Sequence, residues 1–154
     1  AVNDLNEVVR EALFLFQEGH RAIRFEFQPG VIPPLELDRN QIKRALINLL
    51  DNAVTAMDGR GDVEITTSYE RALTKVCLEV ADNGRGLPPE LRARIFEPYF
   101  STKREGTGLG LSIVSAIVED HHGYIRVRPN EPKGTRFIIE LPVRQRLAAL
   151  PAIG

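Results

Sequence analysis

Apolar residues along this chain recur with two different periods. From residue 5 to 16 they are spaced by three or four positions, which predicts a helix capped by Asn3 or Asp4. A second stripe, residues 42–57, ends at an Asp-Gly pair, and a third covers residues 109–118. The helical spacing therefore predicts three main helices.

Between these stripes apolar and polar residues alternate, as they do in half-buried strands. The segments with this pattern are IRFEF (23–27), DVEITTSYE (62–70), KVCLEVADN (75–83), YIRVRP (124–129) and TRFIIELP (135–142). A polar turn separates the second segment from the third, so we expect a hairpin there, and a short helix around residues 90–95. Helices alternating with a largely antiparallel sheet predict an α+β fold.

Length and composition are those of one ordinary globular domain. The chain has 154 residues, of which 43% are hydrophobic and 27% charged, and its net charge of −1 gives no reason to expect a nucleic-acid or membrane partner. No apolar run approaches the roughly 20 residues that cross a bilayer, so we expect a soluble, cytoplasmic chain. We place one domain at residues 1–142 and a C-terminal tail or linker at 143–154.

The second predicted helix carries two carboxamides four positions apart, Asn48 and Asn52 in NLLDN. Side chains with this spacing emerge on one helix face about one turn apart. A carboxamide oxygen suits Mg²⁺ that phosphates and water already hold in part. Two solvent-facing polar residues would show the same pattern, so the pair alone leaves both interpretations open.

A glycine-rich loop, DNGRGLP, follows the third predicted strand at residues 82–88. Gly84 and Gly86 allow the backbone to turn sharply and to approach a ligand closely. Asp82 can accept a hydrogen bond from an exocyclic amine such as adenine N6. A simple strand-to-helix turn has the same composition and is the preferred interpretation of this loop taken alone.

A second glycine-rich loop, within FSTKREGTGLGLSIV at residues 100–114, precedes the third helix. It lacks the lysine of a Walker loop, and it does not follow the strand that a dinucleotide fingerprint requires. Gly106, Gly108 and Gly110 would expose backbone N–H groups at a helix N-terminus, where an anion is favoured, and Lys103 could reach a terminal phosphate. A plain mobile loop explains the glycines equally well.

Four motifs follow one another along the chain: the asparagine pair, the D-x-G-x-G loop, the segment FEPYF (96–100) and GTGLGL. In this order they resemble the N, G1, F and G2 boxes of the histidine-kinase ATP-binding domain. The resemblance covers roughly residues 4–142 and is greatest to nitrogen-regulation sensor kinases of the NtrY type. It implies the Bergerat, or GHKL, two-layer α/β sandwich: a mixed, mostly antiparallel sheet with three main helices on one face. Nucleotide would lie between the helices and a mobile lid at about residues 96–108, anchored by Phe96 and Phe100.

The resemblance also implies roles for individual residues. Catalysis would depend on Asn48, Asn52 and Lys103, with Asn52 chelating Mg²⁺ and Lys103 near the γ-phosphate. Asp82 would recognise adenine. The nucleotide would further be bound by residues of both glycine loops and of the last strand, namely Gly84, Gly86, Gly106, Thr107, Gly108, Leu109, Gly110, Leu111 and Thr135.

Two departures from the family pattern stand out. Many relatives carry a basic residue and an aromatic residue three and four positions after the metal-binding asparagine, where this chain has Thr55 and Ala56. None of the three histidines shows the context of a phosphoacceptor. We expect His121 and His122 to finish the third helix, where cationic side chains suit the dipole. The chain therefore looks like a catalytic fragment.

The function implied is binding of Mg·ATP and transfer of the γ-phosphate to a histidine on a separate dimerisation domain, with a response regulator as indirect partner. The fragment itself should be monomeric, and the full-length protein membrane-anchored. Three alternatives stay open: a hydrolytic GHKL ATPase, a degenerate nucleotide- or protein-docking module, and a serine kinase of the anti-sigma type. Hydrolytic relatives use a glutamate one turn before the metal-binding asparagine, and Asn48 stands there instead.

Overall fold

A five-stranded sheet with helices on one face forms the frame of the molecule in a computed structural model that describes residues 2–92, 94–97 and 110–143. The strand order is β2-β4-β5-β7-β6, with β2 parallel to β4 and the other pairs antiparallel. This mixed α/β arrangement confirms the predicted fold class. In chain order the elements are β1 (Val2–Asn3), α1 (Leu5–Gln17), β2 (Ile23–Gln28), β3 (Leu35–Glu36), α2 (Arg39–Thr55), β4 (Gly61–Glu70), β5 (Lys75–Asp82), α3 (Pro89–Arg92), α4 (Gly110–Asp120), β6 (Tyr124–Pro129) and β7 (Thr135–Pro142).

The apolar periodicities explain how these elements pack. Every second residue of the central strands is buried, so one face of the sheet is apolar and packs against the stripes of α1, α2 and α4. Charged side chains occupy the other face, where Lys75 and Arg126 both bind Glu140. The core lies between the helices and the apolar face of the sheet.

The helix starts follow from capping side chains. Asp4 rather than Asn3 caps α1, since its Oδ1 accepts from the backbone N–H of Asn6 at 2.9 Å. Asp38 caps α2 in the same way, accepting from Gln41 N at 3.1 Å. The predicted apolar stripe extends to Met57, but α2 ends at Thr55. Met57 is buried just beyond the end of the helix.

The hairpin prediction is confirmed: β4 and β5 pair antiparallel across a 3₁₀ turn at Arg71–Leu73. Two local features differ from what the sequence pattern indicates. The short helix expected at residues 90–95 is a single turn, Pro89–Arg92. The proline-rich connector before α2 leads into β3, which pairs with β1 in a small two-stranded sheet that no alternation in the sequence indicated.

His121 was expected to lie at the helix end as a cationic side chain, and this expectation is wrong. Its side chain is buried, and its Nε2 accepts a hydrogen bond from the backbone N–H of Asp38 at 3.0 Å. Its Nδ1 therefore carries the proton and donates to Ile117 O at 2.8 Å. Both nitrogens are engaged in a neutral ring, which ties the end of α4 to the start of α2.

The end of α4 is closed by a Schellman motif. His122 adopts a left-handed conformation with φ of 59°, and its N–H donates to Glu119 O at 2.9 Å. Gly123 N donates to Val118 O, also at 2.9 Å. The left-handed position is thus occupied by a histidine rather than by the glycine that follows it.

Within the described ranges, no helix is long and apolar enough to cross a membrane. The tail beyond Val143 lies outside the described residues, and the boundary at residue 142 stays a prediction.

Candidate nucleotide-binding site

Asp82 ends β5 with its side chain buried, 2% exposed, at the edge of the sheet. Its Oδ1 accepts from the backbone N–H groups of Gly84 at 2.8 Å and Thr135 at 3.3 Å. Oδ2 accepts no hydrogen bond from the described residues. Burial is the main influence on the Asp82 carboxyl and raises its pKa; the two N–H bonds and the charge of Arg85 partly offset this. Asp82 therefore has one acceptor oxygen available for a ligand.

Two glycines allow the backbone to close around this carboxylate. A Cβ on Gly84 would stand 2.5 Å from Ala56 O, so only glycine lets the loop approach the end of α2. Gly134, which sequence analysis did not single out, has φ of +110°, and a Cβ there would overlap Asp82 O. Gly86 also lies in this loop, with φ of +78°.

The two asparagines project from the C-terminal half of α2, beside its buried stripe. Asn48 is half-buried, and its Nδ2 donates to Gly110 O, the first residue of α4, at 3.3 Å. Asn52 is half-buried one turn later, and its carboxamide makes no hydrogen bond with the described residues. The start of α4 is thus held against the helix face that carries the asparagines.

These residues fit a magnesium ion only as a partial site. The described residues contain no group of three or more His, Cys, Asp or Glu that could hold a metal ion. Asn52 offers one neutral oxygen, which is the contribution expected where Mg²⁺ takes its remaining ligands from phosphates and water. Metal binding here would therefore depend on nucleotide.

The structure describes only part of the predicted phosphate loop and lid. Gly110 and Leu111 form the first turn of α4, whose N-terminal end has the dipole that favours an anion. Phe96, which the resemblance assigns to the start of the lid, packs edge-to-face on Phe137, with ring centroids 6.1 Å apart. The other predicted residues, Phe100, Lys103, Gly106, Thr107, Gly108 and Leu109, lie outside the described residues.

Asn130 supports the site but was missed by sequence analysis. Its Nδ2 donates to Asp82 O at 2.8 Å, and its backbone N–H donates to Gly134 O at 3.0 Å. Arg136 in turn donates to its Oδ1 at 3.0 Å. The only signal in the sequence was an asparagine in a turn, because the fold alone brings the β6–β7 turn beside the end of β5.

At the end of α2 the two departures from the family pattern contact the first glycine loop. Thr55 donates its hydroxyl to Asp51 O at 2.9 Å. Ala56 O accepts from the backbone N–H of Arg85 at 3.1 Å, and the Arg85 guanidinium donates to Thr55 O at 3.3 Å. The arrangement joins the carboxylate of a buried residue, a carboxamide and a helix N-terminus at one end of the molecule, a combination suited to a nucleotide.

Comparison with known proteins agrees with this geometry. Residues 37–145 match the family described as histidine kinase-, DNA gyrase B-, and HSP90-like ATPase. The nitrogen regulation protein NtrY of Azorhizobium caulinodans is 37% identical over 146 residues, which are 92% of this chain and 19% of NtrY. The chain thus spans a small part of that relative's length.

Solved structures agree as well. The nucleotide-free catalytic domain of histidine kinase ThkA superposes with a TM-score of 0.83 at 41% identity, covering 93% of this chain and 95% of that domain. ThkA in complex with the response regulator TrrA matches with a TM-score of 0.81 at 38% identity, over 95% of this chain and 42% of the ThkA chain. The chain therefore belongs to the histidine kinase-, DNA gyrase B- and HSP90-like ATPase family, among the sensor histidine kinases.

Proposed function

We propose that this domain binds Mg·ATP and transfers the γ-phosphate to a histidine on a separate dimerisation domain. The observation that carries the proposal is the state of Asp82: a buried carboxylate whose Oδ1 is satisfied by two backbone N–H groups and whose Oδ2 has no partner among the described residues. Oδ2 is therefore the oxygen of this carboxylate that can accept a hydrogen bond from a ligand. The amine of adenine would donate such a bond.

Each part of the site contributes binding or positioning. Asp82 would accept from adenine N6 and would repel the oxygen that guanine carries at the same position. Asn52 would ligate Mg²⁺, with Asn48 beside it, and the N-terminus of α4 would face the phosphates. Mg²⁺, when bound, neutralises charge on the phosphate oxygens. Phosphoryl transfer needs little more than such positioning and charge stabilisation.

The same residues favour transfer over hydrolysis. Asn48 occupies the position where hydrolytic relatives are expected to carry a glutamate, and an amide cannot act as general base. A non-catalytic docking module would not require the Asp82 carboxylate and the Asn52 carboxamide to bind nucleotide, so nucleotide titration tests that alternative. The experiments below test these two alternatives, and the identity of the phosphorylated residue tests the third, a serine kinase of the anti-sigma type.

The partners belong to the proposal too. We infer that the domain acts on a dimerisation domain of its own kinase and, through it, serves a response regulator in the cytoplasm. The solved complex of the related kinase ThkA with TrrA supports the kind of partner proposed.

The first test is calorimetric titration of the purified chain with ATP and with GTP, each with and without Mg²⁺. We expect adenine-selective binding that strengthens with Mg²⁺ and that is weakened by Asn52→Ala. Asn40→Ala, an exposed asparagine at the other end of the same helix, is the matched control and should bind as the wild type does. No binding at millimolar ATP would contradict the proposal.

The second test is phosphotransfer. With γ-labelled ATP and the separately purified dimerisation domain of the same kinase, label should appear on that domain's histidine. ATP consumption with release of phosphate and no labelled protein would instead identify a hydrolytic ATPase.

A further inference from the structure

The C-terminal end of α2 presents backbone carbonyls, not binding side chains, to the first glycine loop. The Thr55 hydroxyl donates a hydrogen bond to Asp51 O, one turn earlier in the helix, and the side chain of Ala56 is only a methyl group. Neither residue can stack on a base or neutralise a charge. The side of the site formed by this helix end therefore lacks the planar and cationic groups expected there.

Arg85 lies at that position instead. Its backbone N–H donates to Ala56 O at 3.1 Å, and its guanidinium donates to Thr55 O at 3.3 Å. Both acceptors are among the last carbonyls of a helix, where the dipole favours a cation. The side chain of Arg85 therefore extends back to the C-terminal end of α2. Its guanidinium is held next to the backbone of Thr55 and Ala56.

The guanidinium is also close to the base-recognising carboxylate. Arg85 follows Asp82 by three residues in the same loop, and its charge partly offsets the rise that burial causes in the pKa of Asp82. Arg85 is exposed, and of its five N–H donors only one has an acceptor among the described residues. Its planar group can therefore contact a ligand without breaking the fold.

We propose that the guanidinium plane of Arg85 packs against the adenine ring of bound ATP and replaces the aromatic side chain that Ala56 does not provide. The inference rests on the proposed function. Guanidinium groups stack on aromatic faces more readily than ammonium groups do. Asp82 places the base, not the phosphates, next to this loop, whereas Asn52 and the start of α4 lie at the phosphate side.

The test compares wild type, Arg85→Ala, Arg85→Lys and Arg60→Ala, each titrated with ATP, ADP and adenosine. Arg60 is exposed in the turn after α2, so its variant removes the same charge nearby. We expect Arg85→Ala to weaken the binding of all three ligands by a similar factor, roughly 3- to 30-fold. Arg85→Lys should lose nearly as much, since it keeps the charge and loses the plane, and Arg60→Ala should bind normally.

Three results would overturn the inference. Unchanged affinity of Arg85→Ala would do so while leaving the proposed function intact. A loss confined to ATP and ADP and restored in Arg85→Lys would show a phosphate contact instead of stacking. Failure of the wild type to bind ATP would overturn the proposed function and this inference with it.

Discussion

At the scale of single residues, the candidate site depends on which atoms already have partners. Oδ1 of Asp82 is saturated by Gly84 N and Thr135 N, and burial raises the pKa of the carboxyl. Keeping the ionised form in this place costs stability when no ligand is present. Binding and stability therefore have opposite requirements at this residue.

Asp82→Asn should weaken ATP binding at least tenfold, because loss of a hydrogen bond to a charged group costs about 1.5–3 kcal/mol. If the amide oxygen keeps the two backbone N–H bonds, its NH₂ group will face the adenine amine, donor against donor. Calorimetry with ATP measures the loss, and circular dichroism verifies that the variant is folded. Wild-type affinity would contradict the role of Asp82.

The same substitution should raise the stability of the unliganded chain near neutral pH. Asp82 has a folded-state pKa above its ordinary value of 3.8, so protonation favours the folded state, and that stability is lost as pH rises through the folded-state pKa. Asparagine avoids the loss. Urea denaturation should show the variant to be more stable near neutrality, and the difference should shrink below about pH 4, where the wild-type carboxyl is neutral in both states. An equal or lower stability near neutrality would show that the two N–H bonds to Oδ1 outweigh the cost of burying the charge.

At the scale of elements, α2 and α4 run antiparallel and are tied at both ends. Asn48 Nδ2 binds Gly110 O where α4 begins, and His121 Nε2 accepts from Asp38 N where α4 ends. The second hydrogen bond lies at the opposite end of α4 from Gly110, and it joins α4 to the start of α2.

His121→Leu should destabilise the chain by roughly 1–3 kcal/mol, because the Asp38 N–H loses the acceptor that the buried His121 side chain provides, while apolar volume is retained. Urea denaturation measures the change. An unchanged unfolding midpoint would mean that water or another group satisfies Asp38 N.

His122→Gly should have the opposite effect. A non-glycine residue in the left-handed conformation costs about 1 kcal/mol, and glycine removes that cost at the C-terminal cap. The histidine is exposed, so no packing is lost. A midpoint shift to higher urea is expected, and a shift to lower urea would show that the His122 side chain makes a stabilising contact.

At the scale of the whole molecule, residues from well-separated segments meet at one end of the sheet. Hydrogen bonds connect four segments there: the end of β5, the C-terminal half of α2, the start of α4 and the β6–β7 turn. The residues that make these bonds include Asp82, Arg85, Asn48 and Asn130. One glycine, at position 84, sets how closely the first two segments can approach. The site is therefore a product of the packed domain as a whole.

The chain by itself should be monomeric in solution. The exposed large apolar side chains of the described residues are few, and Phe14 and Leu15 on α1 are the only adjacent pair among them. Stable dimers usually bury far more apolar surface than such a pair offers. Sedimentation equilibrium at high concentration is the measurement, and a dimer would contradict the expectation that dimerisation belongs to another domain.

The sequence by itself determined most of the elements, the fold class and the family. Helix and strand periods are local properties of the chain, so α1, α2, the β4–β5 hairpin and the last two strands could be predicted without tertiary information. The four boxes likewise occur in a fixed order that is visible in one dimension. The roles assigned to Asn48, Asn52, Asp82 and Thr135 remain predictions that the titrations test.

Only the tertiary structure decided the states of individual atoms at the site. Three of these states depend on residues that are distant in sequence. Oδ2 of Asp82 has no partner among the described residues, His121 is neutral, and Arg85 donates to Thr55 O. The support from Asn130 depends on a strand pairing that no motif encodes. Hydrogen-bond partners and burial are fixed by packing in three dimensions, and periodicity along a chain carries no record of them.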